Sequence, residues 1–253
     1  MKNKKILTIL AVGLIFAFFE AGSFLPRFFY WLMISANLVS LYAVFNLLRD
    51  LGSKKKIIIF WLPLFLLISS AGLFYVFLSS QFAIQTVILA LTITVFFFLR
   101  NLRLYSATPE KFDEQRFDNI ISYLVLLAVW FGFSGLSSLQ SFLDIPVWVL
   151  ALISVPLVGL SVFSVFWANR ISLRANYFYS GILILIFLEL EWTISFLPQN
   201  FFNVGLLLTA IFYTLIGISK AYLKNQLSGK IARNYLLIGG AIICLIMLSS
   251  GWL

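Results

Sequence analysis

The chain has 253 residues, of which 62% are hydrophobic and only 11% charged, with a mean hydropathy of +1.04 and a net charge of +9. A soluble domain carries about 25% charged residues, so this composition excludes a soluble enzyme, a nucleic-acid-binding protein and a disordered chain. There is no His and one Cys, which excludes Ser-His and Cys-His catalysis, His metal sites and an intrachain disulfide. We therefore expect no enzymatic activity, no metal site and no cofactor.

Long apolar runs predict the fold. A helix that crosses a membrane needs about 20 mostly apolar residues, and the sequence contains nine such runs without the alternation of a transmembrane β-barrel. It therefore predicts an all-α integral membrane protein with no soluble domain. The predicted spans are 6–24, 28–48, 57–78, 82–101, 119–138, 147–168, 176–197, 201–219 and 232–252.

The first run follows three lysines, a pattern that signal peptides share. Lys2, Lys4 and Lys5 precede it, but residues 18–22 offer no clean pair of small residues for cleavage. We therefore expect this run to stay in the protein as the first helix.

The positive charges predict the orientation. All but one of the 18 Lys and Arg residues fall on one side of the predicted spans, and only Arg27 falls on the other. Because cytoplasmic loops are enriched in Lys and Arg, we expect a cytoplasmic N-terminus and, with nine spans, an extracytoplasmic C-terminus. The expected partners are anionic lipid headgroups at the cytoplasmic face and other membrane proteins, but not nucleic acid. A composition rich in Lys, Ile, Phe and Asn favours a bacterial inner membrane.

The predicted outer turns resemble one another. SFLP at 23–26 recurs at 195–198, with SFLDIP at 141–146 and SSQF at 79–82 between them. This pattern predicts one membrane domain, residues 1–253, built from four tandem helical hairpins and a final helix. Ser, Phe and Leu are so abundant here that both duplication and coincidence stay open. The predicted units are 1–56, 57–116, 117–174 and 175–231, followed by 232–253.

The longest polar segment is the inner loop at 104–118. Thr108, Pro109 and Glu110 have the residue types of a helix start, with an N-cap, a proline in the first turn and an acid after it. We expect a short amphipathic helix there, which either positions span five at the interface or serves as a docking surface.

Acidic residues inside the predicted spans are the candidate functional groups, because ionisable side chains are costly in a membrane. Glu189 and Glu191 lie about 9–12 Å below the predicted outer end of span seven, and Glu20 lies at a similar depth in span one. Residues two apart point about 200° apart around a helix, so we expect one of the first two to face the interior.

These acids allow two interpretations. Carboxylates from equivalent hairpins could meet near the outer surface and bind a cation or a proton. Alternatively, the acids are structural: Glu20 reaches the interface, and Glu189 or Glu191 pairs with Arg27.

Two functions follow. The first is a non-catalytic membrane component, namely a subunit, a scaffold or a lipid-contacting bundle, which the sparse interior polarity and short loops favour. The second is a small secondary transporter or lipid translocase that uses Glu189, Glu191 and Glu20. An interior carboxylate pair beside a cavity would favour transport, and lipid-facing or Arg27-bound acids would favour the component.

The orientation is testable with reporter fusions. We expect alkaline phosphatase fused after the last residue to be active and a fluorescent protein at the same place to be dark, because the positive-inside rule puts the C-terminus outside. The same reporters fused between the second and third spans serve as the control and should give the reverse pattern. A fluorescent C-terminal fusion would contradict the predicted number of spans.

Overall fold

The computed structural model describes residues 2–49, 54–107, 114–196 and 200–249. These residues contain nine α-helices and no strand, which confirms the predicted all-α class. The helices are α1 (Lys2–Phe24), α2 (Phe29–Leu48), α3 (Lys54–Tyr75), α4 (Gln81–Ala107), α5 (Glu114–Leu143), α6 (Val147–Ala168), α7 (Leu173–Ile194), α8 (Phe201–Leu223) and α9 (Gly229–Ser249).

All nine helices of the described residues are long and apolar enough to cross a membrane, with candidate spans of 19 to 27 residues. Their number and order agree with the predicted runs. These features are consistent with a membrane protein. The kind of membrane and the side on which each terminus lies stay predictions.

Several helix ends differ from the predicted ones. Helix α3 ends at Tyr75 and not at 78, and α7 runs from Leu173 to Ile194 and not from 176 to 197. Helix α4 continues to Ala107, well past the predicted end at 101. An apolar run marks only the part of a helix that suits hydrocarbon, whereas the backbone hydrogen bonds continue into the polar interface. The predicted helix start at 108–110 lies outside the described residues.

Side-chain caps begin α7, α8 and α9. Ser172 precedes α7, and its Oγ accepts a hydrogen bond from the backbone N–H of Ala175 at 3.4 Å. Asn200 precedes α8, and its Oδ1 accepts one from the N–H of Phe202 at 3.2 Å. Before α9, the Oγ of Ser228 accepts a hydrogen bond from the N–H of Ile231 at 3.3 Å. Ser and Asn are favoured at this position because each provides an acceptor for an N–H group without a partner inside the helix.

Left-handed residues end three of the helices. Asp144, Arg170 and Asn225 have φ values of 50°, 60° and 54° and follow α5, α6 and α8. After α6, the N–H of Ile171 donates to the carbonyl of Phe166 at 3.0 Å, which is the long bond of a Schellman motif. These turns stop the helices abruptly and keep the connections to α6, α7 and α9 short.

The helices divide into two compact units, Met1–Leu124 and Val125–Leu253, with the boundary inside α5. In the first unit, α1 packs against α2 and α4, and α2 packs against α3. The ring of Phe29 stacks on that of Tyr75 with centroids 4.7 Å apart, and Phe19 meets both rings edge-on at 6.0 Å. This buried aromatic cluster joins α1, α2 and α3.

Close backbone approaches characterise the second unit, in which α6 packs against α7 and α8 against α9. A Cβ atom added to Gly239 of α9 would collide with Thr214, and one added to Gly205 of α8 would collide with Ser134 of α5. Small residues bring helices close together where the solvent offers no hydrophobic drive to associate. The single domain of residues 1–253 and the tandem-hairpin repeat stay predictions.

The substitution Gly205→Ala tests the contact between α8 and α5. Alanine normally stabilises a helix by about 1 kcal/mol relative to glycine. Here, however, the new Cβ would lie 2.8 Å from the backbone nitrogen of Ser134, and overpacking of this kind costs about 1–3 kcal/mol. We expect a lower Tm for the purified variant.

The matched control is Gly181→Ala in α7, because no atom lies within 4 Å of a Cβ added there. We expect this control to melt at or above the Tm of the parent protein. If the two variants had the same Tm, the close contact between α8 and α5 would be contradicted.

Candidate functional site

The carboxyl group of Glu191 is buried near the C-terminal end of α7. Its side chain is only 9% exposed, and its Oε2 has no hydrogen-bond partner among the described residues. The helix ends three residues later at Ile194, so Glu191 lies about 4.5 Å from the helix end along the axis. This is closer to the helix end than the sequence predicted, because α7 ends at Ile194, before the SFLP motif at 195–198, and not at 197.

Ser154 of α6 lies beside this carboxyl group, within reach of a hydrogen bond. Its side chain is fully buried, and its Oγ donates to the backbone carbonyl of Ala151 at 2.9 Å. A hydroxyl group has a single proton to donate. While that proton is on the Ala151 carbonyl, Ser154 cannot also satisfy Glu191.

Glu189 has a different environment although it is only two residues away on the same helix. Its side chain is exposed, and its backbone carbonyl accepts a hydrogen bond from the Thr193 hydroxyl at 2.8 Å. The structure therefore places Glu191 in the interior of the second unit and Glu189 at its surface. Their opposed directions follow from the 100° turn per residue of an α-helix.

Glu191 lines a cavity of about 300 Å³. The cavity lies where α5 and α7 end and α6 and α8 begin. Its apolar wall comes from Val147, Leu150, Ile194 and Val204. Its polar wall consists of Glu191, Asp144, Gln140, Ser137, Ser141 and Ser195.

The end of α5 supplies most of the polar wall. Ser137, Gln140 and Ser141 follow one another at i, i+3 and i+4, so they lie on one face of the helix, and Asp144 comes directly after its last residue. The left-handed conformation of Asp144 then ends α5 beside the cavity. Sequence reasoning missed this group, although a polar stripe with helical spacing at the end of an apolar span was the available signal.

The charges around the cavity favour a positive ligand. Two carboxyl groups line it, those of Glu191 and Asp144, and its described lining includes no Lys or Arg. The C-terminal ends of α5 and α7 have negative dipole ends, and the N-terminal ends of α6 and α8 have positive ones, so the dipole contributions at the cavity oppose one another. The sign of the electrostatic potential there therefore depends on the two carboxyl groups. The described residues contain no group of three or more His, Cys, Asp or Glu side chains that could hold a metal ion.

Glu20 has a polar partner within the first unit. Nε2 of Gln85 in α4 donates to both carboxylate oxygens of Glu20, at 3.0 and 3.1 Å. The hydroxyl of Ser23 donates to the backbone carbonyl of Glu20 at 2.6 Å. Glu20 therefore links α1 to α4. A meeting of Glu20 with the acids of α7 involves both units and stays a prediction.

Arg27 lies in the short 3-10 turn Pro26–Phe28 between α1 and α2, and its side chain is exposed. An ion pair with Glu189 or Glu191 would also join residues of the two units. That pairing stays a prediction.

The helices and the cavity define a class of protein: an all-α protein whose nine described helices could each cross a membrane, with a polar cavity in its second unit. Its sequence places it in a family as well. The chain belongs to the family described as "Protein of unknown function (DUF5656)", whose model matches residues 31–249. No curated protein and no solved structure matches the chain. The matched range includes most of α2 and all of α3 to α9, and therefore all the residues that line this cavity.

Cysteine labelling tests whether the cavity is open to the outer solution. The free thiol of Cys244 is exposed, so the background is Cys244→Ser. In that background we expect the cysteine of Ser137→Cys to react in intact cells with a membrane-impermeant maleimide, because Ser137 lines the cavity.

The neighbouring variant Ser138→Cys is the matched control, because Ser138 is fully buried and does not line the cavity. We expect it to react only after denaturation. Equal labelling of the two cysteines in intact cells would contradict the cavity or its predicted outward side.

Proposed function

We propose that the protein is a small secondary transporter of a bacterial inner membrane, with its N-terminus in the cytoplasm and its C-terminus outside, and that a small cation binds beside Glu191. The observation that carries this proposal is the buried Glu191 carboxyl group, which lines a polar cavity and whose Oε2 has no hydrogen-bond partner in the part of the chain that the structure describes. A buried carboxyl oxygen without a hydrogen-bond partner costs free energy. A bound cation or proton would offset that cost.

The size and lining of the cavity support a small ligand. Its volume of about 300 Å³ is at the lower end of the range for ligand pockets, which is about 300–1,000 Å³. It has room for a partly hydrated alkali cation or a small protonated amine. The carboxylates of Glu191 and Asp144, the amide oxygen of Gln140 and three serine hydroxyls are oxygen ligands, which hard cations prefer.

The position of the cavity supports transport rather than catalysis. It lies at the ends of four helices that are each long enough to cross a membrane. A site at the junction of several spans can change its accessibility when one pair of helices moves against another. Helix α6, which carries Ser154, and helix α7, which carries Glu191, pack against each other, so a shift between them would alter the surroundings of the carboxyl group.

The second candidate function, a non-catalytic subunit, scaffold or lipid-contacting bundle, rests on the other two acids. Glu189 is exposed, and the Glu20 carboxyl group accepts hydrogen bonds from the side chain of Gln85. Neither of these carboxyl groups lines the cavity of the second unit. The transport proposal therefore depends on Glu191 and Asp144, and not on the three acids that the sequence singled out.

Thermal unfolding of the purified protein tests cation binding. We expect Na⁺, K⁺, ammonium or methylammonium, each added as its chloride with choline chloride as the salt control, to raise the Tm. A ligand that binds only the folded state stabilises it by about 2.7 kcal/mol at a hundredfold excess over its Kd. The variant Glu191→Gln should lose this shift.

The variant Glu189→Gln is the matched control, because it removes an exposed carboxyl group from the same helix and should keep the full shift. Uptake of the stabilising cation into proteoliposomes then separates the two functions. Uptake that Glu191→Gln abolishes would support transport, whereas binding without uptake would favour the non-transporting component. A Tm shift of equal size in both variants would contradict the site.

A further inference from the structure

Three basic residues are among the six that line a second cavity, in the first unit, and the lining as a whole is mostly apolar. Lys5 of α1 and Arg100 and Arg103 of α4 line a space of about 270 Å³. The two arginines are three residues apart and therefore lie on the same face of α4. Helix α1 packs against α4, which brings the start of one helix and the end of the other to the same end of the unit.

These positive charges have no counter-charge among the described residues that line the cavity. None of those residues is acidic, and no hydrogen bond or ion pair of the Lys5, Arg100 or Arg103 side chains occurs in the described part of the chain. Lys4 is different, because its Nζ donates to the backbone carbonyl of Leu47 at the end of α2, at 3.1 Å. Successive residues point about 100° apart on a helix. Lys4 therefore hydrogen-bonds to α2, while Lys5 lines the cavity.

The remaining wall is apolar or already hydrogen-bonded. Ile9 and Phe96 line the cavity, and Ile9 is 54% exposed. The side chain of Thr8 is buried, and its hydroxyl donates to the backbone carbonyl of Lys4 at 3.0 Å. The cavity is thus a mostly apolar space beside three basic residues, on a helix apolar enough to span a membrane.

We propose that an anionic phospholipid binds at this cavity, with its apolar part against the lining and its phosphate group bound by the three basic side chains. Arginine forms paired hydrogen bonds with phosphate oxygens, and lysine adds a point charge. The apolar wall of Ile9 and Phe96 accommodates the first part of the acyl chains. The distribution of Lys and Arg predicts that this end of α1 and α4 lies on the cytoplasmic side, where the membrane surface is negative. The site belongs to the first unit and is separate from the Glu191 cavity.

The test uses the full-length protein in a neutral detergent. Short-chain phosphatidylglycerol is titrated while the Tm is followed, and native mass spectrometry measures retained lipid. We expect the double variant R100Q/R103Q to bind phosphatidylglycerol about thirtyfold more weakly, since each basic side chain near an anionic lipid contributes about a factor of five.

The matched control is R174Q/K230Q, which removes the same charge from two exposed residues of the second unit and should bind as the parent does. Equal weakening in the two double variants would overturn the site in favour of a general charge effect. The conservative variant R100K/R103K keeps the charge but loses the paired geometry, and we expect it to bind with intermediate affinity. Parent-like binding by R100Q/R103Q would also overturn the proposal.

Inorganic phosphate distinguishes a lipid from a soluble ligand. We expect it to compete weakly with phosphatidylglycerol, because it makes no contact with Ile9 and Phe96. If phosphate alone bound as tightly as the lipid, the cavity would be a site for a soluble phosphate and the lipid assignment would be overturned. None of these outcomes depends on cation binding at Glu191, so the two sites are tested independently.

Discussion

The lack of hydrogen-bonding partners in hydrocarbon is the constraint on which the rest of this structure depends. A backbone that crosses a membrane must satisfy its own N–H and C=O groups, and a helix does so within one segment. This accounts for the nine long apolar helices of the described residues. It also concentrates the polar chemistry at helix ends, where water and capping side chains are available. Both cavities lie at such ends.

The two cavities both lie at helix ends, but the charged residues that line them have opposite signs. Glu191 and Asp144 give the cavity of the second unit a negative lining, and Lys5, Arg100 and Arg103 give that of the first unit a positive one. Each set comes from helices that pack together or meet at a turn. A charge that is costly near hydrocarbon is retained where a ligand can neutralise it. A cation at one cavity and a phosphate at the other would meet that requirement.

Sequence reasoning found the helices better than their ends or their contacts. The nine runs were correct in number and order, because apolar composition over about 20 residues depends only on local sequence. The extension of α4 to Ala107 was missed, since Arg100 and Arg103 end the apolar run but not the helix. Glu191 was identified, whereas Asp144 was regarded only as an outer loop residue. Its position beside Glu191 depends on how α5 and α7 are placed in the second unit.

The sequence by itself determined that the chain is helical, how many helices could span a membrane and where the basic residues concentrate. These properties follow from local composition and from the cost of bare backbone in hydrocarbon. Only the tertiary structure decided that Glu191 is buried while Glu189 is exposed, and that Ser154 and the polar end of α5 lie beside Glu191. The rotation of a helix about its own axis is determined by packing against neighbours distant in sequence. An apolar run without a strong polar face does not specify that rotation.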